Sequence, residues 1–186
     1  KNVRSRLMGI PTLISTSTIT SSTAAVEITS GLDSTYDEYM FVYTDYEPIA
    51  DGAHFGFQCS IDAGSNYNVT ATNTLFEAYH SEGGTSGLAY NTGYDDAQTT
   101  GFISLNVGTG TTTDESAAGI LNLFSPASTT YVKHWMARTQ SYQDNDYATD
   151  IFSAGYFNDT NDINAIKFYP STGNIANVVI QMYGIA

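Results

Sequence analysis

Residues 39–46 read YMFVYTDY, and this stretch decides the fold that the sequence predicts. In an extended chain, successive side chains point to opposite sides. One side then carries three aromatic rings, those of Tyr39, Phe41 and Tyr43. Met40 and Val42 lie on the other side. Aromatic and β-branched residues at a period of two are typical of β-strands. Because both sides are apolar, the pattern predicts a central strand that is covered on both faces.

The segments before this strand predict two more strands. The sequence PTLISTSTIT at 11–20 alternates weakly, as an edge strand does. AAVEITS at 24–30 places Val26 and Ile28 on one side of a short strand. Both segments therefore extend the β pattern toward the start of the chain.

The segments after it continue the pattern. HFGFQCSID at 54–62 alternates as a half-buried strand does, which makes Cys59 a small core residue and not a reactive thiol. IDAGSNYN at 61–68 has the residues of a hairpin turn. The apolar segment NVVIQMYGI at 177–185 predicts a strand paired inside a sheet, because ladder hydrogen bonds offset the cost of ordering it.

Seven further strand-like segments are separated by turn-rich linkers. They are LFEAYH, GLAY, GFISLNV, GILNLF, YVKHWMAR, DIFSAGYF and INAIKFY. About ten strands in all are enough for two packed sheets. The sequence thus predicts an all-β, antiparallel β-sandwich of jelly-roll type over residues 11–186 as a single domain. A closed barrel is the second choice.

The charges are unevenly distributed. Six basic residues face nineteen acidic ones, and the net charge is −13. A body this acidic repels phosphate backbones, so no nucleic-acid partner is expected. No window has the roughly 18 apolar residues of a membrane span, so no membrane partner is expected either.

The start of the chain is basic. Residues 1–10 form the predicted extended N-terminal arm, an interaction arm whose contact residues are Lys1, Arg4, Arg6, Leu7, Met8 and Ile10. Chance charges on a frayed tail explain the same pattern equally well.

Two kinds of metal site were considered. His54, His80 and His134 lie far apart and lack the spacing of zinc ligands. The candidate calcium ligands lie in SYQDNDYATD at 141–150 and are Asp144, Asp146 and Asp150. NDTNDIN at 158–164 offers similar oxygens. Loop solubility explains both runs, so neither a metal nor another cofactor is predicted.

The sequence does not single out a catalytic pair. Glycoside hydrolysis needs two placed carboxylates, and none of the nineteen acids stands out. No G-x-S-x-G nucleophile elbow is present. We therefore expect no enzyme activity.

The chain has fourteen tyrosines. Most of them are expected to pair across strands. Four predicted loop tyrosines are the candidates for surface contact with proteins or sugars: Tyr90, Tyr94, Tyr142 and Tyr147.

Several segments in order resemble virion structural proteins of tailed bacteriophages, especially marine ones. These segments are VEITSGLDSTYDEYMFVYTDYEPIADGAHFGFQCSIDAGSNYN (26–68), LFSPASTTYVKHWMARTQSY (123–142), AGYFNDTNDINAIKFYPSTGNI (154–175) and STGNIANVVIQMYGIA (171–186). The resemblance covers about residues 10–186 and depends on the order of these segments together. Ala63 stands where that group often has glycine.

The resemblance implies a non-enzymatic β-sandwich on the virion surface, as a capsid decoration or cement protein or a head fibre. Such proteins are commonly homotrimers, and their partners are the major capsid protein or other virion proteins. The arm would then supply the anchoring contact. The alternative is a tail-fibre part or a carbohydrate-binding module that recognises host surface glycans. A sugar-cleaving enzyme is a third, weaker hypothesis.

Overall fold

A computed structural model describes residues 9–186, which form an all-β structure of two antiparallel sheets packed as a β-sandwich. This confirms the prediction of an all-β, antiparallel β-sandwich. The described part of the chain contains twelve strands: β1 Thr12–Ile19, β2 Val26–Ile28, β3 Glu38–Pro48, β4 Phe55–Ser60, β5 Ala71–Ser81, β6 Ser86–Tyr90, β7 Ile103–Ser104, β8 Ala117–Phe124, β9 Lys133–Gln143, β10 Tyr147–Phe157, β11 Ala165–Pro170 and β12 Ile175–Ile185. Within this range, no helix is long and apolar enough to cross a membrane.

The two sheets differ in size. The large sheet has the strand order β1-β12-β3-β8-β9-β10-β5-β6, and the small sheet has the order β2-β11-β4-β7. Four antiparallel pairs, β1–β12, β2–β11, β3–β8 and β4–β7, alternate between the two sheets. The other four strands, β9, β10, β5 and β6, extend the large sheet beyond this common part.

Strand β3 lies in the middle of the large sheet, as predicted. Tyr39 and Phe41 are fully buried on its inner face. Met40 and Val42 on the outer face are only half-buried. The prediction of cover on both faces was therefore wrong, because no second layer packs on this side among the described residues.

Strand β12 is paired on both sides, which confirms the prediction for residues 177–185. It lies between β1 and β3, where Ile180 faces Tyr43 of β3 and Ser17 of β1. Its inward side chains, among them Val178 and Met182, are fully buried. Strand β1 forms one edge of the large sheet, as its weak alternation predicted.

Strand β4 is buried on both faces, so the prediction of a half-buried strand was wrong. Its second face is covered by the chain just before β7. A Cβ atom on Gly56 would lie only 2.4 Å from the ring of Phe102. Gln58 donates from Nε2 to the carbonyl of Gly101 at 2.8 Å. Cys59 is a core residue, as predicted, and burial raises the pKa of its thiol.

Residues 61–68 do not form a hairpin, because β4 and β5 belong to different sheets. They form a tight turn that carries the chain across the sandwich. Ala63 and Gly64 both have left-handed backbones, with φ of 58° and 87°. Asp62 accepts hydrogen bonds from the side chain and backbone of Asn66, chiefly the former, and its pKa falls to about 2. This carboxylate therefore stabilises the turn.

An aromatic cluster fills the space between the sheets. Phe57 of the small sheet meets Trp135 of the large sheet edge to face, with ring centroids 5.1 Å apart. Phe55 stacks on Tyr46 at 4.2 Å, and Phe168 lies 5.5 Å from Phe41. Fully burying one such side chain contributes about 1.5–3 kcal/mol, so this cluster is a principal source of stability.

Candidate interaction surface

The outer face of the large sheet points away from the aromatic core. The strand register aligns six of its side chains in one row across β3, β8, β9, β10, β5 and β6. We call this row the outer stripe; its members are Val42, Ile120, Arg138, Phe152, Phe76 and Tyr90. Five of these six residues are apolar or aromatic, on a face that one-sided antiparallel sheets normally make polar.

Three of the five apolar or aromatic members of the outer stripe are exposed, and Val42 and Phe152 are half-buried. Phe76 is 42% exposed, Ile120 is 41% exposed and Tyr90 is 54% exposed. Neighbouring rows of the same face add Met136 and Leu88, at 53% and 75%. Single exposed apolar residues are common, but a contiguous patch marks an interaction surface.

The centre of the outer stripe is a fixed arrangement of rings and charges. Phe76 stacks on Phe152, with ring centroids 5.0 Å apart and planes inclined by 6°. The Arg138 guanidinium lies 4.9 Å above the Phe152 centroid. Arg138 also donates from Nε and Nη2 to Asp150 at 2.9 and 2.7 Å, which lowers the pKa of that carboxyl. The rings and the ion pair thus restrain each other before any partner binds.

A shallow groove of about 460 Å³ lies beside this centre, between Val42, Ile120 and Arg138. Its floor includes Gly119 of β8. Directly beneath, the Tyr43 hydroxyl is hydrogen-bonded to the Thr139 hydroxyl at 2.6 Å inside the core. A Cβ on Gly119 would lie 2.7 Å from the Tyr43 Oη, so only glycine leaves room for this bond.

A second groove of about 560 Å³ lies toward one end of the same face. Most of its lining residues have polar side chains, among them His80, Glu82, Asp114, Gln140, Tyr142 and Asp146. The Tyr142 hydroxyl lies 3.3 Å from both the Glu82 and the Asp146 carboxylates. Burial, and next the two negative charges, raise its pKa to about 12. This groove offers hydrogen-bonding groups and an acidic rim.

The four predicted contact tyrosines lie in different places. The predicted loop setting was wrong for three of them, because Tyr90, Tyr142 and Tyr147 belong to β6, β9 and β10. Tyr90 ends the outer stripe and donates to Asp95 at 2.8 Å, and Tyr142 lines the polar groove. Tyr94 packs near a small core cluster and hydrogen-bonds His54 Nε2 at 3.0 Å. Tyr147 meets Tyr79 edge to face at 5.8 Å. The structure therefore brings only Tyr90 and Tyr142 to the outer face of the large sheet, and it does not join them in one cluster.

The predicted interaction arm lies almost wholly outside the described residues. Lys1, Arg4, Arg6, Leu7 and Met8 fall there, and Ile10 is the arm residue that the structure describes. Ile10 is 88% exposed. Gly9 lies against Ala186, with 3.2 Å between a Cβ built on Gly9 and the Ala186 backbone nitrogen. Gly9, the first described residue, therefore lies beside the end of β12.

The candidate calcium ligands are not assembled at one point. Asp144 and Asp146 occupy the turn between β9 and β10, whereas Asp150 is engaged with Arg138. Burial, and next the charges of Asp51 and Glu115, raise the pKa of Asp144. Between residues 9 and 186, no group of three or more His, Cys, Asp or Glu side chains is arranged to hold a metal ion.

Lys133 is a structurally important residue that the sequence analysis did not single out. It is fully buried at the start of β9, where its Nζ donates to the backbone carbonyls of Asp159 and Asn161. Burial lowers the pKa of this ammonium. The signal was available, because alternation in YVKHWMAR places Lys133 on the same side as Trp135.

The outer stripe was also missed, although a signal existed for it. The pairs Leu75–Phe76 and Ile151–Phe152 put apolar side chains on both faces of β5 and β10. Such doubled apolar positions predict either a covered sheet or an exposed apolar face.

Comparison with known proteins adds no relative. No protein-family model matches the chain, and no curated protein matches it.

Proposed function

We propose that this protein is a non-enzymatic structural protein of a tailed-bacteriophage virion, acting as a capsid decoration, cement or head-fibre protein. The observation that carries the proposal is the outer stripe, a broad exposed apolar row on a rigid sheet. Such a surface suits adhesion between proteins, because it offers area without enclosing a small molecule. The segments that resemble virion proteins supply the assignment to a phage particle.

The strand order supports a jelly roll as the specific architecture. In a jelly roll, eight strands form two Greek keys in two sheets. The nested pairs β1–β12, β2–β11, β3–β8 and β4–β7, alternating between sheets, have this form. Strands β9, β10, β5 and β6 are then additional strands that widen one sheet, and they carry four of the six residues of the outer stripe. Jelly rolls occur in viral capsid and lectin domains, so the architecture agrees with the proposal without establishing it.

The proposed partners are further copies of this chain and the major capsid protein or other virion proteins. The basic arm of residues 1–10 would anchor the subunit on the particle. The acidic surface, with a net charge of −13 for the chain, would keep decorated particles apart in solution. Many copies on one particle would bind through avidity, so no single contact needs to be strong.

Binding to particles tests this function. Particles produced without the protein are mixed with purified full-length chain and separated on a density gradient. The intact chain is expected to co-sediment, and a chain without residues 1–10 is expected to fold but remain unbound. An intact chain that stays at the top of the gradient contradicts the proposed function. Normal binding by the shortened chain contradicts the role of the arm alone.

A second candidate is recognition of host surface glycans, as a tail-fibre part or carbohydrate-binding module. The polar groove with Tyr142, Glu82 and Asp146 is the observation that favours it, because carboxylates and a hydroxyl can accept and donate hydrogen bonds to sugar hydroxyls. The acidic rim favours neutral over anionic glycans. A glycan array probed with wild type and with Tyr142→Ala tests it. Binding that the substitution abolishes supports this function, and an array without signal contradicts it.

A further inference from the structure

We infer that the outer stripe is the surface on which a second copy of this chain packs, so that the protein self-associates through the outer face of its large sheet. This inference rests on the proposed adhesive function and names the partner of that face. The charge, the size and the self-complementarity of this face support it.

The charges favour a second copy over a basic partner. Most acidic side chains lie in loops, and two molecules of net charge −13 repel each other over most approaches. Within the outer stripe, Arg138 is the charged member, and Asp150 on the adjacent strand neutralises it at 2.7 Å. Two copies can therefore meet at the stripe without opposing like charges. A basic partner would instead be drawn to the acidic loops.

The size of the stripe fits an interface between protein subunits. Six strands spaced by about 4.8 Å span about 24 Å, and three rows of side chains cover about 20 Å along the strands, which gives roughly 500 Å². A standard interface buries about 800 Å² on each partner. The outer stripe and the row on each side of it would thus form the centre of such an interface. His134, one row farther out on β9, would lie at the polar rim.

The stripe can also complement itself. A symmetric interface uses the same patch on both subunits, so each group must suit its own counterpart. Phe76 remains 42% exposed although it stacks on Phe152, so the open part of its ring can pack against the same ring of another copy. The side chains of Arg138 and Asp150 remain 66% and 35% exposed, so each can also meet its opposite on the other copy.

Light scattering coupled to size-exclusion chromatography tests the inference with the full chain. Wild type is expected to elute with a multiple of the 20.1 kDa chain mass. The double variant Phe76→Asp with Ile120→Asp is expected to elute at the monomer mass at the same loading. Ile49→Asp is the matched control, since Ile49 is 51% exposed in the loop after β3, and it should keep the wild-type mass.

The outcomes separate the inference from the proposed function. A monomeric wild type at every loading, or a double variant with unchanged mass, overturns the inference. Far-ultraviolet circular dichroism checks folding, and if the double variant fails to fold, Ile120→Asp alone replaces it. For that single variant a fall of about tenfold in the association constant is expected, and no change overturns the inference. A wild-type oligomer that binds no particle contradicts the proposed function while leaving the self-association surface intact.

Discussion

The Arg138 guanidinium lies 4.9 Å above the ring centre of Phe152 and donates two hydrogen bonds to Asp150. All three side chains point outward from the large sheet, away from the aromatic core. Their arrangement therefore contributes little to folding and can be changed without unfolding the sandwich. This property makes the outer face open to direct tests by substitution.

Asp150→Asn removes the charge that Arg138 meets. Because exposed ion pairs contribute about 0–1 kcal/mol, the free energy of unfolding is expected to change by less than about 1 kcal/mol. Urea denaturation at neutral pH measures this change. A loss of several kcal/mol would show that the pair stabilises the fold and not the outer surface.

Gly119→Ala introduces a methyl group 2.7 Å from Tyr43 Oη and 2.8 Å from Thr139 Oγ1. The buried hydrogen bond between these hydroxyls must then break or shift. We expect a loss of about 2 kcal/mol or more, since overpacking alone costs about 1–3 kcal/mol. Ala118→Val adds bulk on the exposed side of the same strand and is expected to change stability by about 0.5 kcal/mol or less. Equal effects of the two substitutions in denaturant titrations would contradict the structure.

Lys133→Met keeps the length of the side chain but removes its ammonium. The carbonyls of Asp159 and Asn161 lose their donor, and an unsatisfied buried acceptor costs about 1–3 kcal/mol. We expect a total loss of about 2 kcal/mol or more in thermal or chemical denaturation. Arg138→Met makes a comparable change at an exposed cation and should cost much less stability than Lys133→Met. A harmless Lys133→Met would show that the loop at 158–164 does not depend on this lysine.

Ala63→Gly is expected to stabilise the protein. Ala63 has φ of 58°, a conformation that costs about 1–2 kcal/mol for a residue with a Cβ. Glycine has the greater conformational entropy in the unfolded chain, which offsets part of this strain. A net increase of about 0.5–1 kcal/mol in the free energy of unfolding is therefore expected. Ala97→Gly, at an exposed loop position without a positive φ, should be neutral or destabilising. A calorimetric melting temperature that falls for Ala63→Gly contradicts this prediction.

His54 makes stability depend on pH. Burial lowers the pKa of His54. Its Nε2 is hydrogen-bonded to the Tyr94 hydroxyl at 3.0 Å and its Nδ1 to the Ser104 hydroxyl at 3.3 Å. The unfolded chain, with a histidine pKa of about 6.5, therefore binds the proton first as the pH falls. The stabilisation by neutral His54 is complete above about pH 6.5 and is lost between that pH and the lower native pKa.

The measurement compares wild type with His54→Gln in urea titrations from about pH 7.5 to about pH 5.5. The stability of wild type relative to the variant should fall on acidification. A constant difference across this range would show that the imidazole has the same pKa in both states.

The sequence could predict those features of the fold that depend on a local pattern of residues. The positions of strands β3 and β12 were predicted correctly because their alternating apolar side chains are a local property of the chain, whereas the cover predicted for both faces of β3 was not found. The full burial of β4 was not predictable in this way, since Phe102, some 46 residues away, covers its second face. The turn at 61–68 has hairpin residues, yet it connects two sheets, because pairing partners are chosen over the whole chain.

The candidate surface shows the same limit. Tyr90, Tyr94, Tyr142 and Tyr147 were selected as one set because they share a residue type and a predicted loop setting. The structure separates them, because strand direction and register decide the face to which each side chain points. The outer stripe joins residues from six strands between positions 42 and 152, which no local pattern could bring together.

The sequence by itself determined that this chain is a β-protein with an acidic surface, since alternation and charge are properties of neighbouring residues and of composition. Only the tertiary structure decided which strands share a sheet, and therefore which apolar side chains are buried and which are exposed. The physical reason is that strand pairing is non-local: hydrogen-bond register between distant segments places Phe76, Phe152 and Ile120 in one exposed row.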